Sequence, residues 1–161
     1  MDFIEIYTGF MVGHCALRRY VMGTDATNGE ATPEQIEAMV AELRTAIEAG
    51  GMGFSTTRSS THSDGDGVPV ASRHASVDEL VALSEETGRH PGTSLEAAFT
   101  GGLDQFFDDE IDLIAKMTAA ANRTLNWNVL TVDSSVPERI PRQLGAADTV
   151  EAAGGRVMAL T

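Results

Sequence analysis

A chain of 161 residues, 42% of them apolar and 22% charged, is long enough to enclose the core of one ordinary domain, and its composition excludes general disorder. The formal net charge of −13 argues against nucleic acid and anionic membrane surfaces, which demand basic patches, and no apolar run reaches the roughly 18 residues of a membrane span. The single cysteine, Cys15, rules out an internal disulfide and places the chain most simply in the reducing cytoplasm; Met1 to Glu5 lack the basic flank of a signal peptide.

In chain order, Phe10 to His14 reads as a short apolar strand. Thr32-Pro33-Glu34-Gln35 then supplies an N-cap, a proline at the first helical position and a capping-box glutamine. Ile36, Met39, Val40, Leu43 and Ile47 recur at helical spacing, and Gly50-Gly51 ends the helix. A strand from Met52 to Ser55 breaks off into a polar loop that carries Arg58, His62, Asp64 and Asp66 before Val68-Pro69-Val70. Ser76-Val77-Asp78-Glu79 repeats the capping box; Val77, Leu80 and Leu83 form its expected buried stripe and Gly88 its stop. A strand from Thr93 to Ala97 precedes a helix from about Asp108 to Asn122 on Ile111, Ile114 and Met117. A strand from Leu125 to Val132 comes next. The fourth helix begins near Pro137 or Pro141, carries Leu144, Ala147 and Val150 to Gly154-Gly155, and leads into a strand from Arg156 to Leu160.

Five strands interleaved with four helices predict an α/β fold of consecutive parallel βα units. A closed (β/α)8 barrel needs about 250 residues. The expected architecture is therefore one incomplete TIM-type barrel domain over residues 1–161, partnered by the remainder of its own barrel. The alternative is a small doubly wound α/β domain complete in itself. No GxGxxG or Walker-type loop follows any strand, which weakens a nucleotide-binding version of that alternative.

In βα units the functional groups gather at the carboxyl ends of strands. His14, the Ser55 to His74 loop, Glu96 and the stretch from Asn128 to Asp133 occupy such positions. His14 is either a substrate-side imidazole or a hydrogen-bonded structural histidine. Cys15 reads as a small buried residue, since no base stands beside it. Arg18 could clamp a substrate carboxylate or pair with one of the many acids. His62, Asp64 and Asp66 resemble an oxygen-rich calcium loop, but the twelve-residue pattern fails, and a solvated turn is preferred. Ser55 and Arg58 are candidates for substrate recognition. Glu96, set among apolar residues, would have a raised pKa if buried and would suit a general base or metal ligand; an arginine ion pair is its other reading. Strand alternation puts Trp127 on one face and Asn126 and Asn128 on the other, where the amides could hold a substrate amide or carboxylate. Asp133 is expected to cap a helix.

The segment Val12-Gly13-His14-Cys15-Ala16-Leu17-Arg18-Arg19, with Val21-Met22-Gly23 after it, resembles a strand and loop of the N-acyl-D-amino-acid deacylases of the amidohydrolase superfamily. Thr32 to Gln35, Ala49 to Thr56 and the loop to Val70 are similar to the next stretch of those enzymes, so the likeness covers about residues 10–85. The resemblance implies a distorted TIM barrel that hydrolyses N-acyl-D-amino acids or other small linear amides. It also implies zinc at the carboxyl face, acidifying a bound water. The superfamily's ligands are a His-x-His on the first strand, a cysteine or acid on an early strand, histidines on the fifth and sixth, and an aspartate on the last. With Phe10 to His14 as the third strand, the fifth and sixth carry Thr93 to Glu96 and Asn126 to Asn128 in place of those histidines. Asparagine is a poor zinc ligand. His62 and Glu96 remain as metal candidates, and this chain alone is expected to hold no ordinary zinc site and to be inactive. Two other functions stay open: a non-catalytic binding domain derived from the barrel, and a small metal-free enzyme using His14 and Glu96.

Overall fold

The computed structural model describes residues 8–160, so Met1 to Glu5 lie outside the described range. Five strands, β1 (Val12–Gly13), β2 (Gly53–Thr57), β3 (Ser94–Ala98), β4 (Thr124–Asn128) and β5 (Arg156–Leu160), pair in parallel. Their order in the sheet is their order in the chain. The helices α1 (His14–Met22), α2 (Pro33–Glu48), α3 (Val77–Gly88), α4 (Asp108–Ala121) and α5 (Arg139–Ala152) alternate with them. Right-handed crossovers between sequential neighbours deliver every helix to the same side of the sheet. A doubly wound sheet reverses its strand order and carries helices on both faces. The topology is that of an open arc of a barrel.

Local chemistry explains most element ends. The Thr32 hydroxyl accepts from the Gln35 N–H while the Gln35 side chain accepts from the Thr32 N–H, which starts α2 with Pro33 in its first turn. Pro141 likewise falls in the first turn of α5. The Glu110 carboxylate accepts from the N–H groups of Gly101 and Phe107, tying the start of α4 to the loop after β3.

The helix-facing side of the sheet carries Phe54, Leu95, Ala97, Leu125 and Trp127, all buried against α2, α3 and α4. Trp127 meets the edge of Phe106 at 4.9 Å between ring centroids. The opposite face alternates with it and is only half-buried along β2, β3 and β4, while Met158 and Leu160 of β5 stand exposed.

Several sequence expectations need correction. The strand expected over Phe10 to His14 is only two residues long, and His14 opens a fifth helix, α1. That helix buries His14, Leu17 and Arg18, and two polar residues on its inward stripe hide its apolar period. Val77 is exposed; the inward position in that turn belongs to Glu79. β4 stops at Asn128, since the apolar residues beyond it run into a loop where Val132 is exposed. Asp133 caps no helix: its carboxylate accepts from the N–H and hydroxyl of Ser135, five residues ahead of the Glu138 N-cap of α5.

Gly88 closes α3 against α4. A Cβ there would lie 2.1 Å from the Ala121 carbonyl oxygen. Replacing a helical glycine by alanine ordinarily gains up to about 1 kcal/mol; here Gly88→Ala is expected to lose about 1–3 kcal/mol, because backbone must move. Urea unfolding of the two proteins checks the sign.

Candidate functional site

The carboxyl ends of β1 to β4 surround a cleft of about 270 Å³, lined by His14, Cys15, Ser55, Thr56, Thr57, His62, Ser72, Glu96 and Asn128 among others. Register explains the gathering. Ser55 pairs with Glu96 and Glu96 with Asn126, so three polar side chains stand in one row on the half-buried face. Thr57, Ala98 and Asn128 form the next row. The Asn128 amide donates Nδ2–H to Glu96 Oε1 at 2.7 Å. Oδ1 of Asn126 and Oδ1 of Asn128 are buried and accept no hydrogen bond from the described residues. Glu96, half-buried, is paired with an amide and with no arginine.

Behind the cleft runs a buried polar chain. His14 Nδ1 lies 2.8 Å from Thr56 Oγ1 and Nε2 2.7 Å from Glu79 Oε1. Glu79 Oε2 accepts from Arg18 Nη1 at 2.5 Å, and the rest of that guanidinium donates to the carbonyls of Ala26 and Gly29. The side chains of His14, Glu79 and Arg18 are all fully buried. Burial lowers the His14 pKa below its ordinary 6.5, partly opposed by the Glu79 hydrogen bond. The imidazole is therefore neutral, donating Nε2–H to the carboxylate and accepting the Thr56 hydroxyl at Nδ1. Burial pushes the Glu79 carboxyl upward, but hydrogen bonds from His14 and Arg18 outweigh it and hold the pKa below 4.5.

The other expected residues are placed as follows. Arg18 does not reach the cleft; the carboxylate it clamps is Glu79, so its assignment to substrate binding is corrected. Arg58 turns from the cleft to donate to the carbonyls of Arg73 and Ala75, where it holds the end of the polar loop. His62 stands at the rim with Nδ1 2.8 Å from Thr57 Oγ1. Asp64 accepts from the N–H groups of Asp66 and Val68, an Asx turn that consumes one of its oxygens. Cys15 is half-buried, its sulfur 3.2 Å from the Ser72 hydroxyl. Sequence reading missed Glu79, Thr56 and Ser72. The only signal for Glu79 was its capping-box position, and the box is half-made: Ser76 accepts from the Glu79 N–H while the carboxylate turns inward.

Among the described residues no three His, Cys, Asp or Glu side chains cluster as metal ligands. Where the resemblance places histidines, one carboxylate and two amides stand instead. This donor set does not fit zinc.

The amidohydrolase family pattern matches residues 4–160. The chain belongs to the amidohydrolase family. Its fold is similar to solved D-aminoacylases. A structure addressing the functional role of the binuclear metal centre in D-aminoacylase superposes with a TM-score of 0.70 at 23% identity, covering 92% of this chain and 29% of that one. A D-aminoacylase described as defining a novel subset of amidohydrolases gives 0.66 at 24% identity over the same shares. A mutant D-aminoacylase in complex with copper chloride is similarly related. The chain thus spans about 29% of the length of the structures it matches. No curated protein matches it. Among the described residues no helix of this amidohydrolase is long and apolar enough to cross a membrane.

The buried chain makes stability depend on pH. Below 6.5 an unfolded imidazole takes up a proton that folded His14 refuses, and below 4.5 an unfolded carboxyl takes up one that folded Glu79 refuses. In both windows the unfolded state binds more protons, so stability is lost as the pH is lowered. The urea midpoint should drop between about pH 7 and 5.5, and His14→Asn should flatten that drop. Glu79→Ala, which strands Arg18, is expected to cost about 3–5 kcal/mol at neutral pH.

Proposed function

We propose that the protein to which these βα units belong hydrolyses carbon–nitrogen bonds of small linear amides, N-acyl-D-amino acids being one class to assay, with Glu96 at the centre of its cleft. One observation carries the reading. Glu96 is the charged side chain that the sheet register sets at the middle of the carboxyl ends, aligned by Asn128 and flanked by Ser55 and Asn126. Family membership supports the reaction class.

A carboxylate so held does two things in amide hydrolysis. It takes the proton of an attacking water, and it returns a proton to the departing nitrogen. Asn128 occupies one oxygen of Glu96 and leaves the other for that exchange. Ser55, next to Glu96 in the register, offers a hydroxyl for orienting the substrate. His14 acts at a distance: with both ring nitrogens engaged, it fixes Thr56 and the wall of the cleft. Further βα units are proposed to complete the site, since the chain spans 29% of the structures it matches. In those units any metal would have to find most of its ligands.

The replacement of histidines by Glu96, Asn126 and Asn128 supports a second reading, a binding domain that keeps the barrel shape without catalysis. Assay of the full reading frame on N-acyl-D-amino acids and other linear amides separates the two. Hydrolysis is expected, with Glu96→Gln lowering kcat by about 10²–10⁴-fold at little change in KM. No hydrolysis of any linear amide favours the binding domain, and an unchanged kcat in that variant would take Glu96 out of the chemistry. The 161-residue chain by itself should show no turnover. Titrated calorimetrically with zinc after chelator treatment, it should show no stoichiometric sub-micromolar site; such a site, lost on Glu96→Gln or His14→Ala, would mean that the strand ends form a rearranged metal centre.

A further inference from the structure

His62 lines the cleft yet has no part in the chemistry assigned to Glu96. It also lines a second cavity of about 290 Å³, walled in part by the apolar side chains of Phe99, Leu103 and Val129. Ala98 and Asn128 border both spaces as well, so the two cavities meet at His62 and Asn128. Asn128 is also the residue that aligns Glu96. A linear amide carries a group on either side of its C–N bond, and two joined cavities suit its two halves.

His62 is exposed but held in place. Its backbone N–H donates to the Ser59 carbonyl, and its own carbonyl accepts from the Val70 N–H and from Arg73 Nη1. In the ring, Nδ1 lies 2.8 Å from Thr57 Oγ1. That hydroxyl already accepts the Ser59 N–H and has one proton to give. Besides Nδ1, the Ala98 carbonyl stands 3.5 Å away, beyond the ordinary range of an O–H···O bond. The proton goes to Nδ1. A neutral imidazole that accepts at Nδ1 carries its own proton on Nε2, which bonds no described residue. One N–H donor is thus oriented by the protein at the junction of the cavities.

We propose that the substrate lies across this junction and that His62 Nε2–H donates to its carbonyl oxygen, stabilising the negative charge that gathers there, a role that rests on the linear-amide reading above. When water attacks the carbonyl carbon, Glu96 takes one of its protons and the π pair of the C=O bond moves onto oxygen, where Nε2–H meets it. That pair then re-forms C=O, and the nitrogen departs with the C–N electrons and the proton held by Glu96. His62 gives up no proton at any step. Its work is electrostatic and leaves both oxygens of Glu96 to the tasks already described. Donors on further βα units would add to this one.

Steady-state kinetics of the full chain on a linear amide test this role through two substitutions. His62→Ala should lower kcat by about 10²-fold or more with KM little changed, the loss expected of an oxyanion donor. Glutamine sets a side-chain N–H near the place of Nε2 but neither exchanges protons nor suits zinc. His62→Gln should therefore keep kcat within about 10-fold of the native enzyme. A glutamine variant as slow as the alanine variant marks His62 as a proton carrier or metal ligand and overturns the inference. So does an alanine variant as fast as the native chain. Both results leave the linear-amide reading intact, whereas absence of any hydrolysis brings both down. A second measurement needs no turnover and no altered site. In long-range 1H–15N spectra of the native chain at alkaline pH, with the His62 signals identified by their loss in His62→Gln, the ring should be the Nε2–H tautomer. Finding the Nδ1–H tautomer there overturns the inference by itself.

Discussion

The carboxylate of Glu79 holds the amino-terminal half of the molecule together. One oxygen accepts a hydrogen bond from His14 on α1 and the other accepts one from Arg18 one helical turn further on. Arg18 in turn fastens the turn after α1 through Ala26 and Gly29, and His14 reaches Thr56 on β2. Two elements and a turn thus converge on a residue of α3. Buried charges are costly unless every member has a partner, and this chain leaves no charged member unmatched. Its position directly behind the cleft means that the wall of the site is set by electrostatics, while the opposite half rests on apolar packing around Trp127 and Phe106.

The two faces of the sheet have separate duties. Residues turned toward the helices are apolar and buried; their neighbours in sequence, turned the other way, include Ser55, Thr57, Glu96, Asn126 and Asn128. Parallel sheets normally bury both faces. Here the polar face is left half-open, and in a barrel it becomes the interior, where side chains are crowded and partly dry. A carboxylate aligned by an amide is well adapted to such a place, since its orientation does not depend on water.

Much of this was legible in the residues. α2 announces itself through Thr32, Pro33 and Gln35, and the alternation of Asn126, Trp127 and Asn128 foretold which side chains face the core. The parallel βα architecture was implied by element order alone. Two kinds of feature were hidden. Helix α1 escaped because His14 and Arg18 sit on its buried stripe, so its inward face does not look apolar. Glu79 escaped because a glutamate three residues after a serine satisfies a local capping rule, and nothing local reveals that its side chain serves residues more than sixty positions away. Long-range polar pairing leaves no periodic trace. Arg58 was misjudged for a related reason: its partners are carbonyl groups, which every residue possesses and no sequence displays.

The sequential order of the strands bears on how the molecule comes into being. Each strand pairs with one that arrives only about 30 to 40 residues later in the chain. None has to wait for a distant segment. Closing loops of this modest length carries a small entropic toll, and chains emerge from the ribosome amino end first at about 5–20 residues per second. The arc can therefore lengthen one βα unit at a time as it is synthesised, each new strand docking on an edge already in place. Such growth keeps a single growing edge at any moment, at the newest strand, which confines the risk of mispairing there between nascent chains to one short interval of synthesis.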